Sequence, residues 1–117
     1  MGGIKDMSAG SYNFTLEQGA TLDRTVTVQE SGSAMDLTGY TPRMQVRDTH
    51  DSSTVLLTVT CSIANASGGI IRLQSTATTT SGIEEGIYVY DLEIESSTGV
   101  VTRLLQGNVT VTPEVTR

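Results

Sequence analysis

Short runs of Thr, Val, Ile and Tyr, alternating apolar with polar residues and separated by Gly, Asn, Asp and Ser, constrain this chain more than any other feature. A period of two places successive side chains on opposite faces of the backbone, so such runs become half-buried strands rather than helices. Thr25-Val26-Thr27-Val28 puts valines on one face and threonines on the other. Met44 and Val46 oppose Arg43, Gln45 and Arg47, and Val55, Leu57 and Val59 repeat the pattern. The strongest run is Gly86 to Glu95, where Tyr88, Tyr90, Leu92 and Ile94 share a face. Its other face is apolar at Ile87 and Val89 and acidic at Glu93 and Glu95.

The pattern predicts strands over Tyr12–Glu17, Thr21–Gln29, Thr41–Asp48, Thr54–Ser62, Ile70–Leu73, Gly86–Glu95 and Val100–Thr112. Turns fall at Gln18-Gly19, Glu30 to Ser33, Asn65 to Gly69 and Ser96 to Gly99. Ser75 to Gly82 is the one stretch expected to be helical, and its threonines limit it to a turn or two. A mid-strand glycine often marks a bulge, so one is expected near Gln106-Gly107. The polar, Gly/Ser-rich residues 1–11 are expected to be a flexible leader, with residues 12–117 forming a single β-sandwich domain. A chain of 117 residues fits one such domain, which can bury a core without metal or disulfide help.

Charge and composition narrow the partners. The net charge is −6, the six arginines are dispersed and Lys5 is the only lysine, which argues against nucleic acid. No apolar stretch approaches the roughly 20 residues of a membrane span, so no membrane contact is expected. The start, Met1 to Asp6, lacks the apolar run of a signal peptide, and Asp6 stands where a myristoylation site wants Ser or Thr. Asn-x-Ser/Thr triplets at Asn13, Asn65 and Asn108 are expected by chance in so threonine-rich a chain. One cysteine, Cys61, excludes an internal disulfide and fits a small core residue better than a nucleophile.

Residues that could carry chemistry are few. His50 is the only histidine, so any catalytic triad or histidine metal site must include it. It lies in Asp48-Thr49-His50-Asp51, which fits a solvated loop better than a ligand set. Asp91, Glu93 and Glu95 share a strand face as an acidic stripe suited to solvent or a basic partner. No catalytic, cofactor-binding or metal-binding residues are assigned, no cofactor is expected, and the chain is not expected to be an enzyme. Glu84, Gly86 and Tyr88 form a more informative pattern, because acid, glycine and tyrosine at alternate positions resemble the turn-into-strand signature of immunoglobulin-like sandwiches. That resemblance implies that Tyr88 is a corner tyrosine whose hydroxyl bonds back to upstream backbone. Tyr90 fills the slot where antibody domains keep a cysteine, and no tryptophan is present to pack beside it. The expected fold is therefore all-β, an immunoglobulin-like β-sandwich of seven to eight antiparallel strands.

A second resemblance spans nearly the whole domain. Tyr12 to Thr21, Asp36 to Thr41 with Met44 to Arg47, Tyr88 to Leu92, and Leu104 to Val111 with Val115 to Arg117 resemble, in order, blocks of small structural proteins of tailed phages. The same positions have structural uses: Leu37 and Leu92 as core, and Gly19, Gly39 and Gly107 at turns or bulges. The resemblance implies a virion protein, made in the host cytoplasm, whose partners are other virion proteins in a symmetric homo- or hetero-oligomer. A tail-side adaptor, at the baseplate or a fibre attachment, is the leading expectation. A capsid decoration or cement protein is the alternative. A carbohydrate-binding host-adhesion domain is a further one, and the scarcity of aromatics (one Phe, four Tyr, no Trp) counts against it.

Overall fold

The computed structural model describes residues 10–30 and 32–116. Its strands are β1 (Gly10–Ser11), β2 (Phe14–Glu17), β3 (Leu22–Thr27), β4 (Gln29–Glu30), β5 (Ser33–Ala34), β6 (Thr41–Arg47), β7 (Val55–Asn65), β8 (Ile70–Ser75), β9 (Gly86–Glu95) and β10 (Val101–Thr112), with one short helix, α1 (Ala77–Ser81). The expected leader lies outside the described residues except for its last two, and those two form β1, so the sheet begins earlier than the sequence suggests.

One sheet carries the fold, in the order β1-β10-β9-β6-β7-β8-β3, with β2 also on β10 and β4-β5 set apart as a small hairpin. β7 is long enough to serve two neighbours. Its residues Val55 to Val59 pair with β6, and Thr60 to Asn65 pair with β8. The sheet turns over along this strand and brings β3 and β8 back across β6, β9 and β10, producing a nearly closed all-β sandwich. Pairing is mixed rather than uniformly antiparallel, because β1 and β2 both run parallel to β10.

The core follows the alternation. Met44 and Val46 from β6, Leu57 and Val59 from β7, and Tyr90, Leu92 and Ile94 from β9 are buried against Leu22 and Val26 of β3 and Ile71 and Leu73 of β8. Leu37 is among the most completely buried side chains. Burying side chains of this size is worth about 1.5–3 kcal/mol each, which makes the apolar rows the main source of stability. α1 closes one end of the core. Thr76 caps it by accepting from the Thr79 N–H at 3.2 Å, and buried Thr80 donates to the Ala20 carbonyl at 2.8 Å.

The expected bulge lies elsewhere. Pairing of β10 with β9 shifts between Arg103 and Leu105, and the consecutive leucines Leu104 and Leu105 are both buried. The extra residue resets the inward row, so Leu105, Val109 and Val111 continue it. Gly19 and Gly39 do sit at positive φ, +80° and +82°. Gly107 is required for another reason: a Cβ there would collide with the Tyr12 carbonyl oxygen and approach Asn13 Oδ1 to 2.7 Å. The glycine lets the chain between β1 and β2 lie flat on β10. Gly107→Ala is expected to destabilise the fold by about 1–3 kcal/mol through overpacking, measured as a lowered urea midpoint with an unchanged m-value.

Candidate functional site

Three surfaces carry the polar side chains of interest. The first is the corner leading into β9. Tyr88 Oη donates to the Glu84 carbonyl at 2.7 Å, spanning the turn that delivers the chain from α1 to the sheet. Gly86 has φ +155°, which L side chains rarely adopt, whereas a Cβ there would meet the Tyr88 ring only at ordinary contact distance, 3.5 Å. Backbone conformation, not space, therefore demands glycine. Desolvation, then the Glu84 and Asp48 carboxylates, raise the Tyr88 hydroxyl above its ordinary range.

The second surface is the outer face of β6, β9 and β10. Register places Arg43 opposite Glu93 on one side and Arg103 opposite Glu93 on the other. Arg43 donates to Glu93 at 2.6 Å and to Glu95 at 2.9 Å, while Arg103 reaches diagonally to Asp91 at 3.3 Å. The acidic stripe is thus paired in cis. Such exposed pairs are screened by solvent and add little to stability. Arg47 donates to the Ser52 carbonyl at 2.6 Å and to Gln45 at 3.0 Å. Gln45, Arg47, Asp91, Glu93 and Arg103, with exposed His50, rim a shallow depression of about 320 Å³. Among the described residues no three of His, Cys, Asp and Glu gather as a metal-binding group. Cys61, half-buried on β7, lies 3.5 Å from the Val59 carbonyl, and burial pushes its thiol up to about 11. A thiol so raised is protonated at neutral pH and a poor nucleophile.

The third surface has no counterpart in the sequence reading. β2 covers β10 and β3 covers β8, but β2 and β3 do not pair, leaving a seam. An apolar cleft of about 250 Å³ opens there between Tyr12, Phe14, Leu22, Val26 and Leu105. Tyr90 supports its wall: the buried phenol donates to the Tyr12 carbonyl at 2.6 Å and meets Phe14 edge-on at 5.0 Å. Desolvation, then the neighbouring Tyr12, push that phenol up to about 12. Arg24 crosses the mouth, its guanidinium 5.4 Å from the Phe14 ring centre and donating to the Thr15 carbonyl at 3.2 Å. A buried tyrosine needs a partner for its hydroxyl, and Arg24 interrupts an apolar row, so both signals were present in the sequence.

No family model matches the chain. No curated protein matches it in sequence. Among solved structures it is similar to the N-terminal domain of phage TP901-1 ORF48, with a TM-score of 0.62, 92% of each chain covered and 8% identity. At that identity the likeness shows a shared fold. CopC from Methylosinus trichosporium OB3b aligns over 86% of each chain with 13% identity and a TM-score of 0.48, too low to support a conclusion.

Two outcomes check this geometry. Tyr88→Phe is expected to cost about 1 kcal/mol in urea unfolding, the worth of one hydrogen bond. Iodoacetamide labelling of Cys61 is expected to stay slow near pH 8 and to accelerate only toward pH 11, whereas the urea-unfolded chain labels readily near pH 8.

Proposed function

We propose that this chain is a structural component of a tailed-phage virion, working as a tail-side adaptor at the baseplate or a fibre attachment through protein–protein contacts and without catalysis. The observation that carries this reading is the fold likeness to a phage protein's N-terminal domain, which runs over 92% of both chains. The likeness expected between the blocks from Tyr12 to Arg117 and small tailed-phage structural proteins agrees with it. The chemistry on the surface fits as well. Carboxylates on β9 are occupied by arginines of the same chain, and the Cys61 thiol is held protonated. What remains for partners is a rigid sandwich with polar loops, an outer sheet face and an open seam, a design suited to docking.

The test is fractionation of purified particles into capsids and tails, with this chain detected by mass spectrometry in each. The expected result is recovery with tails at a fixed ratio to a tail protein. Recovery with capsids alone replaces the adaptor by a decoration protein, and absence from both overturns the virion reading.

A further inference from the structure

We propose that the seam between β2 and β3 receives Ile87 and Glu85 of a second copy of this chain, so that copies associate with one another. Alternation along β3 puts Arg24 in the inward row with Leu22 and Val26, which are buried, yet Arg24 is exposed because β2 does not close over it. An arginine in a core-facing row breaks the pattern that builds the rest of the sandwich, and such local exceptions concentrate at functional sites. Among the described residues Arg24 and Arg47 have no carboxylate partner, whereas Arg43, Arg72 and Arg103 do; Arg47 is occupied by the Ser52 carbonyl and Gln45, and Arg24 faces the cleft. The seam therefore offers an apolar cleft, larger than one aliphatic side chain, with an uncompensated guanidinium at its mouth.

The complementary feature lies on the same chain. Ile87 is 67% exposed at the start of β9, on the outer face, where it cannot enter its own seam. Glu84 and Glu85 precede it, both exposed and, among the described residues, without a basic partner. An apolar knob beside a free carboxylate matches an apolar cleft beside a free guanidinium. Closing water out of the cleft would strand the Arg24 charge unless a carboxylate arrives with the apolar group, so Ile87 and Glu85 act together. Knob and cleft are distinct patches of one chain, so the contact either closes reciprocally in a two-fold dimer or repeats head to tail in a ring or filament. One aliphatic anchor per contact gives weak pairwise association that a closed ring strengthens through avidity. The proposal concerns the isolated chain and stands whether or not the virion reading does.

Sedimentation equilibrium of the full chain over a range of concentrations tests it, with circular dichroism confirming the fold of each variant. The expected result is a mass that rises with concentration, no rise for Ile87→Glu or Arg24→Glu, and a restored rise when Arg24→Glu is combined with Glu85→Arg. Association of Ile87→Glu equal to the parent overturns the proposal, as does a charge swap that fails to restore assembly. A chain that stays monomeric alone, including one that binds a different protein through the seam, also overturns it.

Discussion

Residues 10–17 lie parallel to β10 in one register, with the ladder interrupted at Tyr12 and Asn13, and the sandwich depends on that interruption being held. Three groups hold it. Gly107 leaves room for the Tyr12 carbonyl, Tyr90 Oη donates to that carbonyl at 2.6 Å, and Asn13 Oδ1 accepts from the Asn108 N–H at 2.9 Å. The backbone N–H of Tyr12 is also satisfied, donating to the Gln106 carbonyl at 3.0 Å. Without this segment, β10 would present an open edge from Leu105 to Thr112, a template for unwanted pairing. Leu16 would also be missing from the core that Val109 and Val111 help to form. A parallel strand lying beside the last strand of the sheet is thus a long-range contact that completes the layer.

What could be read from the residues and what could not divide along the range of the interactions involved. Strand identity and facing are local. The alternation at Met44 and Val46, at Leu57 and Val59, and at Tyr90, Leu92 and Ile94 marks side chains that are buried in the structure. The corner is local too, because Tyr88 bonds four residues back, to Glu84. Partner choice is not local. Nothing in Tyr12 to Glu17 says that it pairs parallel to residues near the other end of the chain. The bulge expected near Gln106-Gly107 lies instead at the adjacent pair Leu104 and Leu105, both buried, while Gly107 answers to the distant Tyr12 backbone. The β4–β5 hairpin reads as a plain turn in the sequence because each arm contributes only two residues.

Register also rewrites the surface charge. Asp91, Glu93 and Glu95 form an acidic stripe in one dimension, but β6 and β10 flank β9 and bring Arg43 and Arg103 to either side. On β3 and β8 the same happens to Asp23, whose carboxyl Arg72 holds below its usual range through a two-pronged contact at 2.9 and 2.7 Å. Net charge is therefore a poor guide to where acidity is displayed. The −6 of the whole chain rests on carboxylates away from these ladders, among them Asp48, Asp51, Glu84 and Glu85 in the loops flanking β6 and β9.

The seam is the place where the fold leaves its own logic incomplete. A sheet that curls until its first and last strands approach can pair them and abolish both edges. Here the β2–β3 connection is a tight turn, with the Ala20 N–H donating to the Glu17 carbonyl at 3.1 Å, yet the strands it joins belong to opposite layers and diverge. Arg24 spans the gap instead, joining β3 to β2 through one side-chain hydrogen bond to Thr15 and the face of Phe14. A leucine or valine at position 24 would continue the apolar row of Leu22 and Val26 and favour closure. An arginine holds the gap with a long, solvated side chain whose remaining donors meet no further group among the described residues, so the cleft behind it is covered without being filled. That arrangement sets a charged group over an apolar cleft, the combination on which the proposed contact between copies rests.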